Sequence, residues 1–288
     1  DYRVPIERHG SDERLQHLNA RIKPFLLRRT KEQVATALPP KTEIIHWVDL
    51  NEAQRDVYET MRLAMDKKVR DEITRKGVGR SQIIILEALL KLRQVCCDLR
   101  LVSDNPPKKG STSGKLDSLM VMLEELFAEG RRILLFSQFT SMLGLIEAEL
   151  KKRNIDYALL TGQTRDRRTP VKDFQSGKLQ IFLISLKAGG VGLNLTEADT
   201  VIHYDPWWNP AAENQATDRA YRIGQEKPVF VYKMIARGTV EEKIQHLQQE
   251  KSDLAAGVLD GRIAGDWKLQ DDDIDALFAP LPPKVEKR

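Results

Sequence analysis

Apolar positions follow a helical rhythm in the first part of this chain and a shorter, denser one later. Over residues 52–75 they recur every three to four positions, with Val57, Met61, Ala64 and Met65 on one stripe, which predicts an amphipathic helix. Residues 83–97 continue the helical spacing but are apolar over most of the surface, which predicts a buried helix. Residues 104–114, with Pro106-Pro107, Lys108-Lys109 and Gly110, read as a linker. Beyond it, short wholly apolar runs at 133–136, 157–160, 181–184, 201–204 and 229–235 predict strands. Helices are expected between them, over 115–129, 141–152 and 170–175. A further helix opens at Asn209, a good N-cap with Pro210 behind it, and ends at Gly224. Thr239 and Glu242 form a capping box for a last helix to about residue 254.

Strands that are apolar throughout and separated by helices imply an α/β fold, a parallel sheet with helices on both faces. Its crossovers should be right-handed, and ligands should bind at the carboxyl ends of its strands. Polar, glycine-bearing segments follow those ends: Ser137-Gln138, Thr161-Gly162, and residues 185–194 and 205–209. The expected organisation is a basic connecting segment over 1–49, broken by Pro24, Pro39 and Pro40, and a helical region over 50–103. The linker 104–114 leads to an α/β lobe over 115–255 and a loosely packed tail over 256–288 with Asp271-Asp272-Asp273.

Composition narrows the class. Of the 288 residues 41% are hydrophobic, enough for a real core, and the net charge of +4 permits nucleic-acid binding without demanding it. The two cysteines, Cys96 and Cys97, are adjacent, fit neither a metal knuckle nor a disulfide framework, and suit a reducing, intracellular compartment. No apolar stretch is long enough for a membrane span, and the first residues lack a signal-peptide apolar region. A chain starting at Asp1 is expected to be part of something longer.

The candidate chemistry is phosphate chemistry. Arg219 and Arg222, three residues apart, are expected to share one helix face, with Gln215 a turn earlier. Such a face presents two fixed positive charges to a phosphate chain; the bland alternative is a surface ion pair from Asp218 to Arg222. Gly110 to Lys115 mimics a phosphate loop, but its glycines are one residue too close and Leu116 stands where a Mg-binding hydroxyl is needed. A linker ending at a helix start is the better reading. Asp205 ends a strand as a Mg-binding carboxylate would, yet without a phosphate loop that role is not expected. Gly189, Gly190 and Gly192 let the backbone of the 185–195 segment approach a ligand closely. Trp207-Trp208 is a rigid aromatic pair in a loop, one ring able to pack and the other to meet nucleic acid.

Together these residues resemble the C-terminal lobe of the SWI/SNF family of superfamily-two helicase-like ATPases. The resemblance runs over roughly residues 20–255, through Pro24-Phe25-Leu26-Leu27-Arg28-Arg29-Thr30-Lys31, Leu38-Pro39-Pro40-Lys41, Leu92-Arg93-Gln94-Val95-Cys96 and Ser113-Gly114-Lys115-Leu116. It continues in Phe136-Ser137-Gln138-Phe139, Leu160-Thr161-Gly162 with Arg167, the 185–195 segment, Asp205-Pro206-Trp207-Trp208-Asn209-Pro210, and the arginine segment ending in Gly224-Gln225. Asp98-Leu99 departs from the usual His-Pro, and Thr169-Pro170 interrupts the helix it sits in.

The resemblance implies a RecA-like second lobe preceded by a helical protrusion. It implies a motor driven by ATP and Mg2+, both held mainly by an absent first lobe of the same protein, which translocates on double-stranded DNA. Arg222 then looks like the arginine finger, with Arg219 beside it and Gln215 as a polar positioner. Gly190, Gly192 and Asn194 are implied nucleotide contacts. Gln138, Thr161, Gly162, Ser185, Lys187 and Trp207 are implied contacts to the DNA backbone. The fragment alone is expected to be inactive. Two other readings stay open: a non-catalytic module that binds DNA or a protein, and an RNA-directed member of the wider superfamily.

Overall fold

The computed structural model describes residues 11–22, 38–103, 112–186, 188, 193–207, 209–257 and 271–283. It divides into a unit of residues 1–38 and a unit of residues 39–288. In the first, helix α1 (Asp12–Ile22) opens at Ser11, whose Oγ accepts from the Arg14 amide at 3.4 Å.

In the second unit, strand β1 (Lys41–Val48) leads into helices α2 (Glu52–Lys76) and α3 (Val78–Cys97). Then follow α4 (Gly114–Ala128), β2 (Ile133–Ser137), α5 (Thr140–Lys152), β3 (Tyr157–Leu160), α6 (Arg168–Gln175) and β4 (Ile181–Ser185). The chain continues with β5 (Thr200–His203), α7 (Pro210–Thr217), β6 (Val229–Ala236), α8 (Val240–Gly257) and α9 (Asp271–Leu277). The six strands form one sheet in the order β1-β6-β5-β2-β4-β3, and every pairing is parallel.

Alternation along the central strands builds two cores. Ile133, Leu135, Ile181, Leu183, Ile202 and Met234 face α4 and α5 through Leu119, Leu123, Leu143 and Ile146. Their neighbours Leu134, Phe136, Phe182, Ile184, Val201 and Val231 face Phe174 of α6 and Ala216 of α7. With both faces covered, β2 and β4 are buried at all their positions, which is why they read as unbroken apolar runs.

Four expectations need correction. Residues 41–48 are not connecting chain: β1 is a sheet edge, in register with β6 from Lys41↔Val229 to Val48↔Ala236. An edge strand is paired on one side, and here Ile45 and Trp47 stay partly exposed, so the apolar run that marks an inner strand is missing. Helix α2 packs Val57, Met61 and Met65 of the predicted stripe against the core beside the more deeply buried Tyr58, Arg62 and Val69, but Ala64 is exposed. Helix α3 is not buried all round; Ile83, Leu86 and Leu90 are exposed. The tail is not loose where it is described. In α9 and just after it, Ile274, Leu277 and Phe278 are buried in a third cluster with Tyr58, Val69, Leu89 and Ile244. Arg62 donates to the Phe278 carbonyl at 2.9 Å, Arg55 to that of Pro282 at 2.7 Å, and the Leu281 amide to Glu59 at 2.7 Å.

The capping box at α8 is also displaced. The Thr239 hydroxyl accepts from the Glu241 amide at 3.2 Å, and Glu242 accepts from the amide of Gly238 at 2.5 Å.

Candidate functional site

The loops after β2 and β5 leave the same edge of the sheet because those strands are parallel neighbours. Asp205 joins them. It is fully buried, accepting from the Ser137 hydroxyl at 2.5 Å and the Gln138 amide at 3.2 Å. Burial raises its pKa, and the Arg93 guanidinium and Ser137 hydroxyl partly oppose that. Arg93 reaches in from α3. One guanidinium nitrogen donates to the Gln138 side-chain oxygen at 3.0 Å; another donates to the Pro206 carbonyl and lies 3.6 Å from Asp205.

Trp207 is half-buried and its backbone is fixed from both sides. Its amide donates to Glu213 at 2.6 Å, and its carbonyl accepts from the Gln248 side chain at 2.7 Å. Glu213 is buried at the start of α7 and stands 3.3 Å from the Lys233 ammonium, which also approaches Glu43 at 3.5 Å. Burial disfavours the charge on Lys233, but these two carboxylates hold its pKa above the ordinary lysine value. Nearby, burial pushes His203 down to about 4, so its ring is neutral at pH 7, with Nε2 3.0 Å from the Thr217 hydroxyl.

After β3, Thr161 and Gly162 form a tight turn in which the Thr161 amide donates to the Thr164 hydroxyl at 2.9 Å. Gly162 is exposed, with open space where a Cβ would stand. Ser185, at the end of β4 opposite Ser137, is buried at 2% exposure. Lys187, Gly190, Gly192 and Trp208 lie outside the described residues.

The arginine segment departs from its expected form. Helix α7 ends at Thr217, so Arg219 and Arg222 sit in turns beyond it and share no helix face. The turns are held by Gln225, whose amide nitrogen reaches the carbonyls of Thr196 at 3.0 Å, Ala198 at 2.7 Å and Ala220 at 3.0 Å. That buried side chain offers the backbone an alternative to another helical turn. Arg219 is 8% exposed, its guanidinium 5.3 Å from the Phe136 ring centre, and its carbonyl accepts from Leu195 at 2.9 Å. Burial lowers its pKa, but an arginine remains charged. Arg222 and Gln215 are exposed. Asn194 is exposed too, and its carbonyl accepts from Gln175 of α6. The fold thus brings Asn194 next to the segment of Arg219, with the Arg219 guanidinium beneath the surface and that of Arg222 out in solvent.

The phosphate-loop mimic is structural. Ser113 caps α4, and Gly114 lies so close to the Asp49 carbonyl that a Cβ there would approach it to 2.7 Å. Lys115 is fully buried, its ammonium donating to Glu241 at 2.5 Å and to the carbonyls of Tyr204 and Met234 at 3.2 and 3.1 Å. Neither Lys115 nor Asp205 is open to a ligand. Among the described residues no group of three or more His, Cys, Asp or Glu could hold a metal ion, and no helix is long and apolar enough to cross a membrane.

Sequence reading missed the site roles of Arg93, Ser137, Asp205, Glu213 and Gln225. Arg93 left a trace, a cation set among Leu89, Leu92 and Val95 on the buried side of a largely apolar helix. The pairings of Asp205 and Glu213 span chain segments that only the sheet brings together.

Residues 114–224 match the Helicase conserved C-terminal domain, and residues 1–101 match the SNF2-related domain. The chain is 37% identical over 257 residues to a Mycoplasma genitalium protein described as an uncharacterized ATP-dependent helicase, covering 88% of this chain and 24% of that one. It spans about a quarter of the length of such curated relatives. Among solved structures it is similar to the Sulfolobus solfataricus SWI2/SNF2 ATPase core in complex with dsDNA, with a TM-score of 0.67 and 32% identity over 94% of this chain and 57% of that one. The C-terminal domain of the Sulfolobus ATPase aligns with a TM-score of 0.64 and 29% identity, covering 82% of this chain and 97% of that domain.

Proposed function

Because this chain belongs to the SWI/SNF family and forms its C-terminal lobe, we propose that it is the second motor lobe of an ATP-driven translocase acting on double-stranded DNA. Its RecA-like sheet supports the reading by delivering two surfaces. The strand-end edge, with Thr161, Gly162, Trp207 and the partly buried Gln138 held by Arg93, offers polar groups and an aromatic ring to a DNA backbone, with Lys187 close by in sequence and Ser185 buried. The arginine segment offers a second, cationic surface.

The observation that carries the proposal is the pairing of buried Arg219 with exposed Arg222 on a turn anchored by Gln225. A guanidinium held there can stabilise charge on a phosphoryl group presented by another lobe. ATP supplies that phosphoryl group when bound, and Mg2+ would be held on the first lobe, since Asp205 and Lys115 are committed to internal partners here. Arg222 acts as the finger, Arg219 sets the local positive field, and Gln215 orients polar groups of the nucleotide. Asn194 and the backbone at Gly190 and Gly192 approach its sugar or phosphates. The protein works inside the cell on DNA, and this lobe alone does not turn over ATP.

In the complete protein, Arg222→Ala should lower DNA-stimulated ATP hydrolysis by on the order of 10³-fold. Its circular dichroism should be unchanged, because Arg222 is exposed. Near-normal turnover would remove the finger assignment.

A further inference from the structure

Arg93 lies on α3, outside every segment assigned above to nucleotide or DNA, yet all the partners named for it belong to the strand-end loops. It is 5% exposed. Its fork bonds the Gln138 side chain after β2 and the Pro206 carbonyl after β5, and faces Asp205, which already ties the two loops. Its guanidinium carbon also lies 5.9 Å from the centre of the Phe139 ring. Burying a guanidinium for stability alone is a poor bargain against an apolar side chain of similar size.

The surroundings say what the fork is for. Between α3 and the loops is a cavity of about 160 Å³, lined by Leu86, Leu89, Leu90, Arg93, Gln138 and Trp207. The cavity opens to solvent, so across that gap side-chain packing does not by itself hold the loops to α3. The polar fork bridges it. We propose that Arg93 is a positioning residue which sets the spacing of the Gln138 and Trp207 loops and so couples the helical protrusion to DNA engagement. This rests on the reading of those loops as DNA contacts.

Lysine keeps the charge but has a single nitrogen in place of the two that Arg93 sets on Gln138 and Pro206, so Arg93→Lys separates geometry from charge. The test is ATP hydrolysis by the complete two-lobed protein, titrated with duplex DNA of unrelated sequences. Arg93→Lys should raise the half-saturating DNA concentration on the order of tenfold, with turnover at saturating DNA within about twofold of wild type. Adding Gln138→Ala to Arg93→Lys should cost far less than Gln138→Ala alone, because the two act as one unit. Arg93→Leu should show the same loss; if it fails to fold, the lysine variant decides.

An unchanged half-saturation in Arg93→Lys, with Lys187→Ala still weakening the DNA response, would overturn the positioning role and leave the DNA reading standing. A fall in melting temperature and turnover together, at fixed half-saturation, would likewise reduce Arg93 to a structural ion pair. If neither Lys187→Ala nor Gln138→Ala altered the DNA response, the DNA reading itself would fall, and this inference with it.

Discussion

Lys115 follows a glycine-rich stretch and could pass for a phosphate-binding lysine, but its ammonium is spent inside the fold. Burial pulls its pKa down, yet the Glu241 carboxylate more than offsets this and the group stays above the ordinary lysine value. Glu241 also accepts from the Ala236 amide at 2.9 Å, so one ion pair joins the start of α4, the end of β6 and the start of α8. Removing one partner leaves the other charged and buried. Lys115→Met should therefore cost about 3–5 kcal/mol in urea unfolding. The double variant Lys115→Met/Glu241→Met should recover a large part of that loss. A single variant as stable as wild type would show that the pair contributes little.

Short elements here depend on what they dock against. Helix α9 has seven residues, too few to stand alone in water. Three buried apolar side chains and backbone bonds from Arg62 and Arg55 seat it and the residues after it on α2 and α3. Phe278→Ala removes an anchor worth about 3–5 kcal/mol, more than so small a unit can lose and remain docked. Amides over 271–283 should then exchange as fast as free peptide, while those of β2 and β4 stay protected. Unchanged protection over 271–283 would contradict this. The early stop of α7 has a similar origin: Gln225 and the Leu195–Arg219 backbone bond draw the chain off the helix axis before the arginines are reached.

The sheet as a whole gathers four loops, after β2, β3, β4 and β5, along one edge because its strands are all parallel. The net charge of +4 is small, and the DNA-facing candidates are mostly neutral, Lys187 excepted. Duplex binding by the complete protein should therefore be independent of sequence. Lys187→Ala should weaken it evenly and reduce the slope of log affinity against log salt by about one. A loss confined to one DNA sequence would mean base readout instead of backbone contact.

Much of this was legible in the residues alone. Strands β2 and β4 announced themselves because burial on both faces leaves residues 133–136 and 181–184 without a polar position. The α4 start was readable as a linker running into a helix near residue 115, since helix starts are set locally. The order of the motifs, Phe136-Ser137-Gln138 through Gly224-Gln225, was enough to identify the family. Tertiary structure decided what depends on partners distant in sequence. An edge strand such as β1 looks like a loop until β6 pairs with it. A helix signal through residue 224 yields to a glutamine amide that bonds two carbonyls of the 195–198 turn and one beyond α7. The burial of Arg93, Lys115 and Asp205 could not be seen either, because a charge becomes tolerable inside a protein only when the fold delivers its counterpart from elsewhere in the chain.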